Sequence, residues 1–233
     1  MKVLMLSAGF GTRLRPLTEN LPKVMAPINN KPCLEYHLEN FRDQGIKDFA
    51  INTHHLPDLI RNYFRDGSKL GVSIRYSFEP SLLGTAGALN YFRDFFTETF
   101  AVVYADVFAD FKLEPLIQVH KKNNALVTIT IDSRKDLEGK GLVRKIGDLV
   151  AELIEKPSSP IQGMFINSGF YILEPGIFYN IPNGFSDFPQ DILPSLVSQR
   201  KVFCAEHKGF IFDIGTPNDL EVARAFSKLK NIS

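Results

Sequence analysis

Leu6–Lys23 reads LSAGFGTRLRPLTENLPK, and the rest of the chain is arranged around it. The apolar run before it, Val3–Leu6, predicts a buried first strand. Gly9 and Gly11 follow, then Arg13, Arg15 and the pair Pro22–Lys23. A glycine turn after a strand lets backbone N–H groups come close to a polyanion. Arginine adds a planar fork for phosphate oxygens, and lysine adds a point charge. The stretch therefore points to a phosphorylated ligand. It also excludes two common phosphate-binding patterns. A dinucleotide fingerprint needs a third glycine where Leu14 stands. A P-loop needs Gly-Lys-Ser/Thr, but Thr12 and Arg13 follow Gly11.

Composition narrows the classes further. The chain has 233 residues, 44% hydrophobic and 23% charged, which suits one large α/β domain or two small ones. A net charge of +1 gives no global field to recruit nucleic acid or a membrane surface, so neither is expected as a partner. Cys33 and Cys204 lie far apart without metal-ligand spacing and read as free thiols in a reducing compartment. Met1–Leu6 is too short for a signal peptide, and no apolar run is long enough to span a bilayer. A cytoplasmic protein is expected.

Outward from the opening stretch, apolar spacing predicts a helix over Cys33–Gln44, ended by Gly45. A strand follows at Phe49–Asn52, a helix at Leu56–Phe64 and a strand at Val72–Phe78. This alternation predicts parallel strands with right-handed crossovers. Glu79–Leu89 carries two glycines where a strand ends and a helix, Ala86–Phe95, begins. Taken alone it reads as either a tight turn or a surface for a flat ring. Phe100–Tyr104 is an apolar strand ending in Ala105-Asp106, the place where open α/β sheets bind ligands. A helix is expected at Leu113–Lys122, a strand at Ala125–Asp132, a charged mobile loop over 134–141, and a ribbon from Leu142–Ile146 and Leu149–Leu153. Gly163–Leu173, a helix over Phe188–Gln199, short strands at Val202–Ala205 and Phe210–Phe212, and a helix from Pro217 to about Leu229 complete the chain.

The string Gly-x-Gly-Thr-Arg-Leu-x-Pro-Leu-Thr, with Pro-Lys after it, resembles the signature of the sugar-1-phosphate nucleotidyltransferases, or NDP-sugar pyrophosphorylases. Four later strings are similar to further motifs of that family: Leu-Gly-Thr-Ala-Gly-Ala-Leu at 83–89, Glu155-Lys156-Pro157, Asn167-Ser168-Gly169, and Asp213-Ile214-Gly215-Thr216-Pro217. At a fifth place the family usually has Gly-Asp where this chain has Ala105-Asp106. The resemblance runs over essentially the whole chain. It implies an α/β fold: a Rossmann-like three-layer sandwich with a mixed, mostly parallel central sheet and a small β-ribbon sugar-binding part. It implies one domain over 1–233, with a nucleotide-binding half of about 1–110 and a sugar-binding half of about 111–233. The C-terminal β-helix of many relatives is not expected here.

The implied reaction joins an NTP and a sugar 1-phosphate to give an NDP-sugar and pyrophosphate by in-line attack on the α-phosphorus. The attacking phosphate is already ionised at pH 7, so the obstacle is repulsion between polyanions, answered by cations and Mg²⁺. By resemblance, Arg13, Lys23 and Asp106 are the catalytic candidates, and Asp106 and Asp213 hold Mg²⁺. An arbitrary aspartate is more often a solvated turn residue or a helix cap. Leu6, Ala8, Gly9, Gly11, Thr12, Glu79, Gly84 and Thr85 are expected at the nucleotide, and Gly141, Glu155, Lys156 and Asn167 at the sugar. For Arg15 a solvated loop position is equally open.

His54-His55 could suggest a metal pair, but adjacent residues do not easily face one ion and no third ligand is suitably spaced. His120 and His207 are expected at the surface. The length and the 82–89 loop are similar to short mannose- or heptose-1-phosphate guanylyltransferases. The Asn52 neighbourhood is also similar to uridylyltransferases of N-acetylmuramate 1-phosphate. A non-catalytic relative that binds a nucleotide sugar is a further reading, disfavoured because Arg13, Lys23, Asp106 and Asp213 are all kept. A phosphate-binding oxidoreductase domain is disfavoured by the missing third glycine. A homo-oligomer is left open.

Overall fold

The computed structural model describes residues 1–134, 136–159 and 161–232. In chain order the elements are β1 (Val3–Leu6), β2 (Pro27–Ile28), β3 (Lys31–Pro32), α1 (Cys33–Asp43), β4 (Asp48–Thr53), α2 (Pro57–Phe64), β5 (Ser73–Phe78), α3 (Gly84–Gly87), β6 (Phe100–Tyr104) and β7 (Val107–Ala109). They continue with α4 (Leu113–Lys122), β8 (Val127–Asp132), β9 (Gly141–Ile146), β10 (Leu149–Glu155), β11 (Phe165–Leu173), α5 (Leu193–Ser198), β12 (Val202–Glu206), β13 (Ile211–Asp213) and α6 (Pro217–Leu229). The chain divides into two compact units that interleave in sequence. The first takes residues 1–82, 103–111 and 209–233; the second takes 83–102 and 112–208.

In the first unit β1, β4 and β5 pair in parallel, Val3 opposite Phe49 and Phe49 opposite Ile74. Each crossover is helical, as expected from the strand–helix alternation. Leu4, Met5, Phe49, Ala50 and Ile51 are fully buried, which is why β1 and the middle of β4 read as continuous apolar runs, whereas β5 alternates buried and exposed residues. Two small antiparallel pairs were not legible beforehand: β2 with β3, and β7 with β13. They enclose a second core of Leu14, Ile28, Cys33, Tyr36, Phe108 and Ile214, closed by Leu220 and Ala223 of α6. That helix starts on a capping box: Asp219 N–H donates to Thr216 Oγ1, and Thr216 N–H donates to Asp219 Oδ2.

The second unit is mostly antiparallel. β11 pairs with β8, β12 with β10, β10 with β9, and β9 with β11, all antiparallel, while β12 and β8 run parallel. These pairings close a five-stranded ring, so the expected ribbon is part of a small barrel. The cause is local. β9 and β10 are separated by only Gly147 and Asp148, with Gly147 at φ 59°, and a two-residue turn enforces an antiparallel pair. The fold is therefore α/β with mixed pairing: β1, β4 and β5 of the first unit keep the expected parallel run, whereas the second unit is mostly antiparallel.

Two expected helices differ. That over Ala86–Phe95 starts earlier, as α3, and continues as a tighter 3₁₀ stretch over Ala88–Phe92. Its first amides, Ala86 and Gly87 N–H, donate to Ser186 O at 2.8 and 3.0 Å. The helix expected over Phe188–Gln199 opens with a wide π turn, Phe188–Ile192, before α5. Pro194 has no N–H to give to the regular ladder there. His120 is not at the surface. It is 4% exposed, with Nδ1 on Thr128 Oγ1 at 2.9 Å and Nε2 on Glu174 Oε1 at 3.1 Å. Its place on the inward stripe of α4, with Leu113 and Leu116, accounts for this. The loop over 134–141 includes Lys135, which lies outside the described residues; Arg134 in it grips buried Asp132 on both carboxylate oxygens.

Candidate functional site

In the first unit the opening loop turns at Gly11, φ 64°. A Cβ there would stand 2.9 Å from both Lys23 Cβ and Thr18 Cγ2, so glycine is what lets the Lys23 stem lie against the loop. Thr18 Oγ1 donates to Gly11 O at 2.8 Å and holds the turn. Lys23 Nζ reaches Asp106 Oδ2 at 2.5 Å, across 83 residues of sequence. Asp106 occupies the turn between β6 and β7 rather than a strand. Asp213 is the last residue of β13, not the residue after it, and pairs with Val107, next to Asp106. Ile214 N–H donates to Asp106 O at 3.3 Å. Arg13 comes to the same segment: a Cβ on Gly215 would lie 3.3 Å from Arg13 Nη2. So Arg13, Lys23, Asp106 and Asp213, drawn from three separate stretches, gather at one end of the β7–β13 ribbon.

The electrostatics follow from that packing. Burial pushes the Asp106 carboxyl up, but the Lys23 charge and hydrogen bond, helped by its own backbone and His37, outweigh it and hold the group below the ordinary carboxylate range. His37, on α1, is buried at 1% exposure with Nε2 on Val107 O at 2.5 Å. Burial lowers its pKa to about 4, against the opposing pull of Val107 O and Asp106. The imidazole is thus neutral beside the pair at pH 7, with its proton on Nε2 toward Val107. Burial also raises the Cys33 thiol far above its ordinary value, and Cys204 to about 11, so neither is a nucleophile.

The remaining first-unit candidates frame this cluster. Gly9 and Thr12 are exposed, Leu6 is half-buried and Ala8 is buried. No atom stands within 4 Å of the position a Gly9 Cβ would take, so its backbone faces open space. Arg15 is exposed, with no side-chain partner among the described residues. Glu79 is fully buried. Its Oε1 accepts from Asn52 Nδ2 at 2.7 Å, and Asn52 Oδ1 accepts from Ser7 N–H at 2.8 Å. The carboxylate thereby fixes which way the Asn52 amide faces and how the loop leaves β1. No local sequence pattern marks this relay, since its members lie 27 and 45 residues apart. His54 Nδ1 goes to Glu79 O at 2.7 Å and His55 Nε2 to Thr18 O at 2.8 Å, while exposed Phe10 packs on both rings. The two histidines serve different carbonyls, and no group of three or more metal-ligating side chains occurs among the described residues.

The second unit gathers the sugar candidates. Gly141 of β9 pairs with Glu155 of β10. A Cβ on Gly141 would stand 2.6 Å from Glu155 Oε2 and 3.6 Å from Asn167 Cβ, so the glycine leaves the gap in which these side chains sit. Lys156 adopts φ 44° and places Nζ 3.4 Å from Glu155 Oε1. Asn167 Nδ2 donates to Tyr171 Oη at 2.9 Å. Beside it, Ser168 Oγ donates to Asp132 Oδ2 at 3.0 Å. Gly84 and Thr85 lie elsewhere in this unit, against 184–188. Thr85 N–H and Oγ1 both donate to Asp187 Oδ1, and Oγ1 accepts from Phe188 N–H. A Cβ on Gly84 would press on Ser186 O, and one on Gly87 would overlap Gly184 O. Asp187, the anchor of this loop, carried no sequence signal, because its partner is 102 residues away.

The sequence matches the nucleotidyl transferase family over residues 2–229. The chain belongs to that family. It is 36% identical to a UTP–glucose-1-phosphate uridylyltransferase of Synechocystis sp., over 94% of this chain and 61% of that protein. It is 32% identical to a probable mannose-1-phosphate guanylyltransferase of Oryza sativa, over 94% of this chain and 62% of the relative. This nucleotidyl transferase chain therefore spans about three-fifths of the length of those relatives. A crystal structure described as a glucose-1-phosphate thymidylyltransferase from Bacillus anthracis superposes with a TM-score of 0.89 at 24% identity, covering 98% of this chain and 95% of that one. That likeness shows the shared fold. No helix among the described residues of this nucleotidyl transferase is long and apolar enough to cross a membrane.

Proposed function

We propose that this chain joins a nucleoside triphosphate to a sugar 1-phosphate, releasing pyrophosphate. The observation that carries the reading is the convergence of Lys23, Asp106, Asp213 and Arg13 at one end of the β7–β13 ribbon. Carboxylates are hard oxygen donors of the kind that hold Mg²⁺ together with phosphate oxygens, so Asp106 and Asp213, carried at the same end of the β7–β13 ribbon, fit that ion. When bound, Mg²⁺ neutralises triphosphate charge and polarises the phosphoryl oxygens. Lys23 then faces the α-phosphate and the incoming phosphate, and Arg13, carried on the exposed loop, takes the departing pyrophosphate oxygens. Backbone of Leu6, Ala8, Gly9, Gly11 and Thr12 reads the nucleotide. Glu79 acts on it through Asn52 and Ser7, and Gly84 and Thr85 shape their loop through Ser186 and Asp187. Glu155 accepts sugar hydroxyls, Lys156 steadies the sugar phosphate, and Gly141 and Asn167 set the room available. The Rossmann-like sandwich and a cytoplasmic setting belong to the same reading.

GTP with a mannose- or heptose-type sugar 1-phosphate is the first substrate pair, supported by the guanylyltransferase relative. UTP with a hexose 1-phosphate or N-acetylmuramate 1-phosphate is the second, and the 36% identity to a uridylyltransferase favours it directly. A pyrophosphate-release assay crossing four NTPs with a panel of sugar 1-phosphates, in Mg²⁺, tests both. Release with GTP and mannose 1-phosphate supports the first pair, and release confined to UTP supports the second. No release in any combination, with nucleotide sugar still bound, overturns the catalytic reading in favour of a non-catalytic binding protein.

A further inference from the structure

The core of the first unit holds a polar ring that packing does not explain. His37 lies on the buried stripe of α1 with Cys33, Leu34, Leu38 and Phe41. Its ring stacks with those of Phe41 and Phe111, the centroids 6.4 and 6.1 Å away and the planes 19° and 16° from parallel. In such surroundings a phenylalanine would bury its surface with no polar group to desolvate. The imidazole has one: its Nδ1 is buried with no hydrogen-bond partner among the described residues. A buried polar atom left unanswered is costly. The other nitrogen accounts for the histidine.

Nε2–H donates to Val107 O at 2.5 Å, across 70 residues of sequence. Val107 follows Asp106 in the chain and pairs with Asp213 across the ribbon, so it adjoins both carboxylate candidates. The β7–β13 ribbon has two strands of three residues each. So short a pair is marginal alone and frays from its ends. At the end that carries Asp106 and Asp213, His37 ties the ribbon to α1, a helix of eleven residues. Lys23 holds the Asp106 side chain at Oδ2; His37 holds the backbone beneath it. We infer that His37 is a positioning residue for the divalent cation, its bond to Val107 O fixing the backbone that presents Asp106 and Asp213. This rests on the cation assignment proposed above. Residues that orient metal ligands without touching the metal typically change its affinity by about 10–100-fold when replaced.

Mn²⁺ titration of the full chain, read from the paramagnetic resonance of the free ion, tests this without turnover. Asp106→Asn should abolish the binding. His37→Phe keeps an aromatic ring in the stack, and His37→Met fills the space flexibly. Each lacks the donor and should weaken Mn²⁺ at least about tenfold. His37→Gln, whose amide can donate from near the Nε2 position, should stay within about threefold of the wild type. Leu38→Ala, a cavity on the same helix, should lower the urea midpoint and leave Mn²⁺ affinity unchanged. In pyrophosphate release, His37→Phe should need about tenfold more Mg²⁺, with kcat at saturating Mg²⁺ and KM for the sugar 1-phosphate nearly kept. Wild-type Mn²⁺ affinity in His37→Phe and His37→Met overturns the inference. So does an equal loss in Leu38→Ala, which would make the effect general core damage. An equal loss in His37→Gln also overturns it, because the donor would then be irrelevant. Mn²⁺ binding that is absent from the wild type, or that survives Asp106→Asn, overturns the cation assignment itself, and the inference falls with it.

Discussion

The two candidate clusters are built in opposite ways. That of the first unit is ionic and long-range: a lysine and an aspartate 83 residues apart, with a second aspartate contributed from near the chain end. That of the second unit is local and shaped by a gap: Gly141 and Glu155 face each other across a hairpin, with Asn167 beside them. Phosphate chemistry needs charge held at fixed points, whereas sugar recognition needs room and hydroxyl partners. Under the proposed function, rate would reside in the first unit and sugar choice in the second. Substitutions should therefore separate along kcat and KM.

The sharpest way to break this division is Asp106→Asn. It should lower kcat by about a thousandfold or more in Mg²⁺, while nucleotide binding without metal survives, as read by pyrophosphate release and by titration. Near-normal turnover would remove the first unit from the chemistry. Lys23→Ala comes next, with an expected loss of about a hundredfold or more in kcat, equivalent to 3–4 kcal/mol; a loss under about tenfold would count against it.

His37 tests whether the ionic cluster also carries stability. Its folded pKa, about 4, lies below the ordinary 6.5. The unfolded chain therefore takes up a proton first as pH falls, so stability is fully present above about 6.5 and declines toward pH 4. A shift of this size corresponds to about 3 kcal/mol. Urea unfolding at stepped pH should show His37→Gln with a flatter profile over that window, and an unchanged slope would refute the assignment. Gly141→Ala is the smallest effect. Its new methyl meets a movable Glu155 carboxylate, so KM for the sugar 1-phosphate should rise about tenfold with kcat nearly kept. A drop in kcat with KM unchanged would erase the contrast between the clusters.

Much of this was visible in the sequence, for particular reasons. β1, β6, α4 and α6 fall where periodicity and punctuation place them, because each is a contiguous apolar pattern with a clear stop. The strings around Gly11, Asp106, Glu155 and Asp213 marked the candidates, because phosphate and sugar chemistry demands unusual residues at close spacing. What stayed hidden depends on distant partners. His120 looked like a surface histidine until Thr128 and Glu174 supplied its bonds. The bonds from Glu79 to Asn52 and from Asn52 to the loop at Ser7 link residues 27 and 45 positions apart, so no local pattern carries them. The barrel could not be seen from a hairpin alone, since its closure rests on β9 meeting β11.

The interleaving of the first unit has a consequence during synthesis. A ribosome releases Lys23 and Asp106 long before it reaches Asp213, which belongs to the last segment, 209–233. Until then β7 has no antiparallel neighbour, and the apolar patch of Leu14, Ile28 and Phe108 waits for Leu220 and Ala223. Such late, long-range completion leaves the nascent chain exposed to aggregation. The acidic pair can form only after residue 213 has been translated, so a chain interrupted before that point would lack it altogether.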